Sequence, residues 1–472
     1  MLKKPSYIKA TAISIFALAT QVILGLSVIA LLAKFLPKDQ FGHFIIALTA
    51  VQIAASILSA SVERTTLFIV SRSLSSRIVV KGELIVAALL IGITGTLLAY
   101  IALPILLYSL SEAQEWMFWV AGLIPLILAT PIRATIGACL RAEQHTTAYA
   151  ILEYAIPSII RLLGVLLIIF KILPSTPIIV SIIFVLAATF PIIIGWPLVS
   201  PSLRWPLNIM NKETIKYGFT VMLTKATSEP NKTLDVLLVG FLTSPTVSAD
   251  YGLASRISNA LSLVKQAIDS LLVPRIGSLH ASDKKERLLL EYGRARDAGF
   301  AAVLFASIVF CLTGPLLLSL LGDYQKAYSI VLLLLAAAVV RIGVGSSGNY
   351  LNMINRPEMN LIATVLGITS LISVALLLVP SWGATGGALS VIIAQVIMNG
   401  TAVLLAKFSD NVTLVSPTTL LSIISSSIIL TLTAFKWLPS SVSALSLLLV
   451  ALFLVIPHLR IFLKKPKTGE NT

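Results

Sequence analysis

Cysteine is almost missing from this chain. Its 472 residues include two, Cys139 and Cys311, and both fall in apolar segments. That argues against a disulfide framework and against a thiolate metal centre. Histidine is nearly as scarce, with four copies and no pair at helical metal-binding spacing, so no metal site is expected. Charged residues make up only 12%, and acids are the scarcer sign, 20 Asp and Glu against 35 Lys and Arg. No glycine-lysine phosphate loop of the Walker type is present. No polar stretch is long enough to form a separate domain, the longest lying around 199–213 and 280–297. These absences argue against a nucleotide-driven pump. They argue equally against a membrane glycan polymerase or ligase, which needs a sizeable catalytic loop. The chain is read as a non-enzyme without a cofactor.

What is present is apolar: 57% of residues are hydrophobic, and the mean hydropathy is +0.97. Such a composition belongs to a polytopic membrane protein. A span of about 20 apolar residues crosses a hydrocarbon core of about 30 Å. Fourteen such segments are expected, at 12–34, 42–62, 83–108, 116–138, 147–170, 176–198, 214–241, 248–278, 298–320, 327–350, 360–380, 384–406, 415–436 and 440–461. Twelve remain an alternative if the last two are misread. The first follows Lys3, Lys4 and Lys9 and is longer than a secretory apolar core, so it is read as an uncleaved helix. The run Lys284-Lys285-Glu286-Arg287 marks one face: it shares its side with the N-terminus, Arg72, Arg77, Lys81, Arg141, Arg204, Lys407 and the tail from Arg460 to Lys467. The opposite side has few cations. The positive-inside rule therefore puts both termini in the cytoplasm, and the net charge of +15 is explained by topology rather than by nucleic acid.

An internal repeat organises the spans. Leu31-Leu32-Ala33-Lys34-Phe35-Leu36, followed by Phe41-Gly42, matches Leu237-Leu238-Val239-Gly240-Phe241-Leu242, followed by Tyr251-Gly252. Six spans separate the copies, an even number, so both copies run the same way across the membrane. The expected fold is all-α and integral to the membrane: about 14 transmembrane helices in two pseudo-symmetric six-helix lobes, with two extra C-terminal helices. The expected domains are 1–198, a cytoplasmic linker at 199–213, a second lobe at 214–407, and 408–472 as added helices and basic tail.

Eight cations lie inside these spans: Arg64, Arg133, Arg161, Lys225, Lys232, Arg256, Lys265 and Arg341. Each would cost about 2.5–3.5 kcal/mol at the bilayer centre. They must snorkel, pair, or face a wet cavity. Arg64 and Arg133 lie toward span ends, where snorkelling competes with a cavity role. Five acids, Glu63, Glu153, Glu229, Asp235 and Asp269, share the spans, and eight cations against five acids leave a net +3. A cationic lumen suits an anionic cargo. Lys225, Glu229 and Lys232 recur at i, i+4 and i+7 beside Pro230, either as a binding face or as a self-neutralised one. Lys265 and Asp269 can satisfy one another at i, i+4, whereas Arg256 is read as a cargo contact or a partner of Asp235. Arg341 heads a stripe with Gly345, Gly348 and Asn352 on one expected helical face. Glu153, Pro157 and Arg161 line one side of the fifth span, where an internal Glu153–Arg161 pair is the simpler alternative. The substrate-binding candidates are thus the eight cations, and the ion-coupling candidates are Glu229, Asp235, Asp269 and Glu153.

Three stretches carry a family resemblance: Leu320-Leu321-Gly322-Asp323-Tyr324-Gln325-Lys326-Ala327; Asn352-Met353-Ile354-Asn355-Arg356-Pro357 followed by Pro380-Ser381-Trp382-Gly383-Ala384-Thr385-Gly386-Gly387; and Lys216-Tyr217-Gly218 with Leu234-Asp235. In order and spacing they resemble the polysaccharide transporter branch of the multidrug/oligosaccharidyl-lipid/polysaccharide exporter superfamily, closest in character to O-antigen unit flippases of the Wzx type. The resemblance implies two lobes around an alternately open cavity in the bacterial inner membrane. It implies an undecaprenyl-diphosphate-linked oligosaccharide as cargo, carried from the cytoplasmic to the periplasmic leaflet and coupled to H⁺ or Na⁺. Expected partners are that cargo, membrane lipid, a polysaccharide polymerase and a chain-length regulator. A multidrug exporter and a lipid-linked peptidoglycan precursor flippase of the same superfamily stand as alternatives.

Overall fold

The computed structural model describes residues 7–72, 77–108, 114–199, 212–228 and 230–463. No strand occurs among the described residues. Ten helices among them are long and apolar enough to cross a membrane. Thr233–Leu242 and Ser440–Leu452 are shorter apolar helices. The chain packs as two units, Met1–Gly252 and Leu253–Thr472.

The first unit contains α1 (Tyr7–Phe35), α2 (Lys38–Arg72), α3 (Arg77–Tyr108), α4 (Gln114–Leu123), α5 (Pro125–Ala142), α6 (Thr146–Ala150), α7 (Ile156–Ile169), α8 (Pro177–Val199), α9 (Lys212–Ser228) and α10 (Pro230–Leu242). The next helix, α11 (Pro245–Ala260), starts in this unit and ends in the second. Helix α2 is central and packs against α3, α4, α5, α9 and α10. Its apolar contacts with α3 and α5 include Val62, Leu84, Ile85, Ile132, Ile136 and Leu140, all buried. At one end Phe44 packs on Trp119 and Phe184, each at a ring separation of 5.2 Å.

The two copies of the sequence repeat meet in this unit. Phe41 and Tyr251 are fully buried. A Cβ on Gly42 would strike the backbone carbonyl of Pro245, and one on Gly252 would strike the Ile45 side chain. Lys38 bonds Asp250 at 2.9 Å, and the Tyr251 hydroxyl donates to Asp235 at 2.7 Å. The glycines of the repeat therefore set how closely α2 and α11 approach.

The second unit adds α12 (Ser262–Ala281), α13 (Lys285–Leu320), α14 (Ala327–Gly343), α15 (Ser347–Met353), α16 (Pro357–Asp410), α17 (Pro417–Ala434) and α18 (Ser440–Leu463). Its centre is α14, buried continuously from Ile330 to Val340 and packed by α13, α16 and α17. A helix apolar on every side suits such an enclosed position. Elsewhere large apolar side chains point outward, among them Leu98, Phe170, Leu316, Leu377, Phe408 and Leu449. In a bilayer that exposure is favourable.

The stretches behind the family resemblance include several of the chain's turns. Gly322, between α13 and α14, has φ +99°. Asn355 is left-handed at φ +60° just after α15, and Pro357 opens α16. Helix α16 turns at Gly383, φ +55°, so its 54 residues form two helices rather than one. Just beyond, a Cβ on Gly386 would meet the backbone of Leu378. Other connectors use a left-handed residue that is not glycine: Gln144, Lys171, Asp283 and Lys436.

Candidate functional site

A cavity of about 280 Å³ opens in the first unit. Its wall includes Gln52 and Ser56 of α2, Thr130 and Arg133 of α5, Arg161 of α7 and Thr233 of α10. Two of the expected cations are thus brought together, one from each of two helices. The Arg133 side chain is only 18% exposed. Its terminal nitrogen bonds Glu153 at 3.2 Å, and its Nε is buried without a hydrogen bond. The Arg161 guanidinium sits over the Phe184 ring at 5.2 Å, a cation–π contact that fixes a planar cation without neutralising it.

Glu153 reaches Arg133 because the helix locally widens. Residues Ile151–Ala155 form a π turn between α6 and α7. One additional residue per turn rotates the rest of the helix away from its regular course, and such turns often mark functional positions. Regular spacing suggests a Glu153–Arg161 pair; the ion pair formed is Glu153–Arg133, across to α5. A neighbouring pair joins Glu63 to Arg141. Arg141 also lies over the Tyr149 ring at 4.5 Å, and the Tyr149 and Tyr154 hydroxyls are 3.3 Å apart.

The polar wall contributed by α2 is missed when the sequence is searched for charges alone. A signal is available: Gln52, Ser56, Ser59 and Glu63 recur at i, i+4, i+7 and i+11, one helical stripe. Lys81, which the sequence places among the loop charges, is instead buried. It is paired with Glu143 and donates to the Val199 carbonyl at 3.3 Å.

The other candidates lie apart from this cavity's named wall. Arg64 is exposed. Lys225 on α9 is half-buried, and Asp235 is buried. Glu229 and the Lys232 side chain lie outside the described residues. In the second unit, Arg256 and Arg341 are half-buried. Lys265 donates to Asp269 and to Ser346, each at 3.0 Å. Asp269 also accepts from Ser346 and, at 3.1 Å, from Asn349. This carboxylate is fully engaged by its neighbours, as its i, i+4 spacing with Lys265 allowed.

The stripe below Arg341 is not one helical face. Helix α14 ends at Gly343, and Gly345 has φ +85° before α15 begins at Ser347. A Cβ on Gly345 would lie 2.8 Å from the Tyr292 hydroxyl, which donates to the Val344 carbonyl at 3.1 Å. Backbone geometry and close contact both demand glycine here. Gly345→Ala is expected to cost about 2 kcal/mol or more. Gly348→Ala meets only the end of the Asn360 side chain and should cost less. Thermal unfolding of the two purified variants compares them; an equal or reversed order would contradict this account of the break.

A second cavity, about 190 Å³, lies between α2, α3 and α9. Val62, Leu84, Ile91, Ile215, Phe219 and Met222 make it almost wholly apolar.

No protein-family model and no curated protein sequence matches the chain. Solved structures do. The lipid II flippase MurJ, in an inward closed conformation, superposes with a TM-score of 0.74 at 15% identity, covering 97% of this chain and 100% of the other. An inward-facing multidrug resistance MATE transporter of the MOP superfamily gives 0.69 at 14% identity, over 82% of this chain and 94% of the other. A MOP superfamily transporter from Pyrococcus furiosus, described as having a binding pocket of reversed polarity, gives 0.56 at 13% identity, over 85% and 94%. The chain has the fold of these transporters. Fold and apolar helices together make it a multi-pass membrane protein.

Proposed function

We propose that this protein is a flippase for undecaprenyl-diphosphate-linked oligosaccharide units, of O-antigen or a related surface polysaccharide. The observation that carries the reading is the cavity holding Arg133 and Arg161 with hydroxyl and amide groups around them. Guanidinium groups replace phosphate hydration with charge-assisted hydrogen bonds. Ser56, Thr130, Thr233 and Gln52 suit sugar hydroxyls. The polar end of such a cargo needs enclosure, whereas its isoprenoid tail can remain in lipid or rest on apolar surface such as the cleft between α2, α3 and α9.

In this proposal the lobes 1–198 and 214–407 alternate around the cargo, with the linker 199–213 and both termini in the cytoplasm. The residues 408–472 supply the additional helices. Lys225, Lys232, Arg256, Lys265 and Arg341 add to the cationic character, and Glu153, Glu229, Asp235 and Asp269 are the candidates for ion coupling. A polymerase and a chain-length regulator would act on the delivered units. One observation favours a second reading: the likeness to a lipid II flippase extends over 97% of the chain, which fits a lipid-linked peptidoglycan precursor as cargo.

The test is the surface polysaccharide of a strain lacking this protein. The expected result is loss of the polymer ladder, accumulation of lipid-linked units in the inner leaflet, and recovery when the gene is restored. An intact ladder with lysis and accumulated peptidoglycan precursor would favour the second reading. An intact ladder with heightened sensitivity to cationic drugs would point to a multidrug exporter.

A further inference from the structure

We propose that Glu153 is the resident counter-ion of the cavity: it occupies Arg133 when no cargo is bound and gives way to the cargo's anion. This rests on the reading of the cavity as an anion site.

The charged groups acting on Glu153 are Arg133, Arg141 and Arg161, and Glu63. Arg141 is engaged by Glu63 and stacked on Tyr149. Arg161 is held over Phe184. The Tyr149 and Tyr154 hydroxyls beside it face one another. Of the remaining helices packed on this turn, α8 carries no titratable side chain, nor does α1 from Ile13 to Ala33. Arg133 is therefore the direct partner of Glu153, and Arg133 lines the cavity.

That partnership leaves room for exchange. A guanidinium carries five N–H donors, and a strong carboxylate pair uses two of them in parallel. Here a single contact at 3.2 Å is formed, and Nε has no hydrogen bond. The carboxylate comes from a π turn, a widened stretch of helix that departs from the regular hydrogen-bond ladder. An incoming phosphate oxygen can match Arg133 better than Glu153 does, and it then competes with Glu153 for the same cation.

The arrangement has a purpose in a carrier. With Glu153 ionised, three arginines and two glutamates leave this cluster at +1, and the empty cavity does not present a bare Arg133 to a low-dielectric surround. Cargo substitutes one anion for another, so loaded and empty forms both keep Arg133 paired. The empty carrier can then return without a penalty for an unpaired buried charge. The cost falls on affinity, because the cargo must displace a tethered competitor.

Removing the competitor should tighten binding, the opposite of what structural damage does. The experiment is equilibrium binding of farnesyl diphosphate to the purified full-length protein in detergent, across about pH 5 to 8. Glu153→Gln keeps the shape and removes the charge; Glu153→Ala serves if the glutamine variant does not fold. The ratio of wild-type to variant Kd cancels the ligand's own ionisation. We expect a ratio of about ten or more at pH 8, falling toward one as acid protonates the wild-type carboxylate. A ratio at or below one at pH 8 overturns the inference while leaving the anion site standing. Absence of binding by wild type and both variants removes the anion reading itself, and this inference with it.

Discussion

Gly42→Ala is expected to be among the most damaging single substitutions in the first unit. The added Cβ would fall on the backbone carbonyl of Pro245, the first residue of α11. A side chain can rotate away from such a clash, but a carbonyl inside a turn cannot move without moving the helix. The nearby pairs Lys38–Asp250 and Tyr251–Asp235 fix the same end of α11, so displacement there breaks polar contacts as well. Overpacking costs about 1–3 kcal/mol and sometimes more; here the cost should lie at or above the upper end. Gly252→Ala is the internal comparison, because its Cβ meets the Ile45 side chain rather than backbone. Thermal unfolding of both purified variants should show the larger drop for Gly42→Ala, accompanied by loss of complementation. Equal stability of the two would show that α2 and α11 do not approach as described.

The second large effect is expected at Arg161. Its guanidinium lines the cavity and sits over the Phe184 ring at 5.2 Å. A hydrogen bond to a charged group contributes roughly 1.5–3 kcal/mol, so Arg161→Ala should weaken farnesyl diphosphate binding about 10- to 100-fold. Arg161→Lys keeps the charge but not the planar fork or the ring stacking, and should recover part of the loss. Arg64→Ala provides the contrast: Arg64 is exposed, and its removal should change affinity less than about twofold. Binding assays on the three variants, with the polysaccharide ladder as the cellular readout, decide the matter. If Arg64→Ala hurts as much as Arg161→Ala, the cavity is not where the anion binds.

The sequence by itself determined the class of molecule and its punctuation. Apolar runs of membrane-spanning length are set by the thickness of hydrocarbon, a one-dimensional constraint that composition meets directly. Turns were similarly legible, because Gly322, Asn355-Arg356-Pro357 and Gly383 act through local backbone geometry. The pairing of Lys265 with Asp269 followed from helical spacing alone. Tertiary structure decided everything that depends on a neighbour distant in sequence. Glu153 lies eight residues before Arg161 yet pairs with Arg133, because a π turn changed its direction and α5 lay opposite. Gly345 broke the stripe expected below Arg341, since a left-handed residue and the close Tyr292 hydroxyl are not visible in a periodicity count. Lys81 read as a loop charge until Glu143 and the Val199 carbonyl, from elsewhere in the unit, enclosed it. Membrane helices differ little in their apolar faces, so sequence pattern says that a charge must be sheltered. Which group shelters it is fixed by packing, and packing is a property of the whole unit.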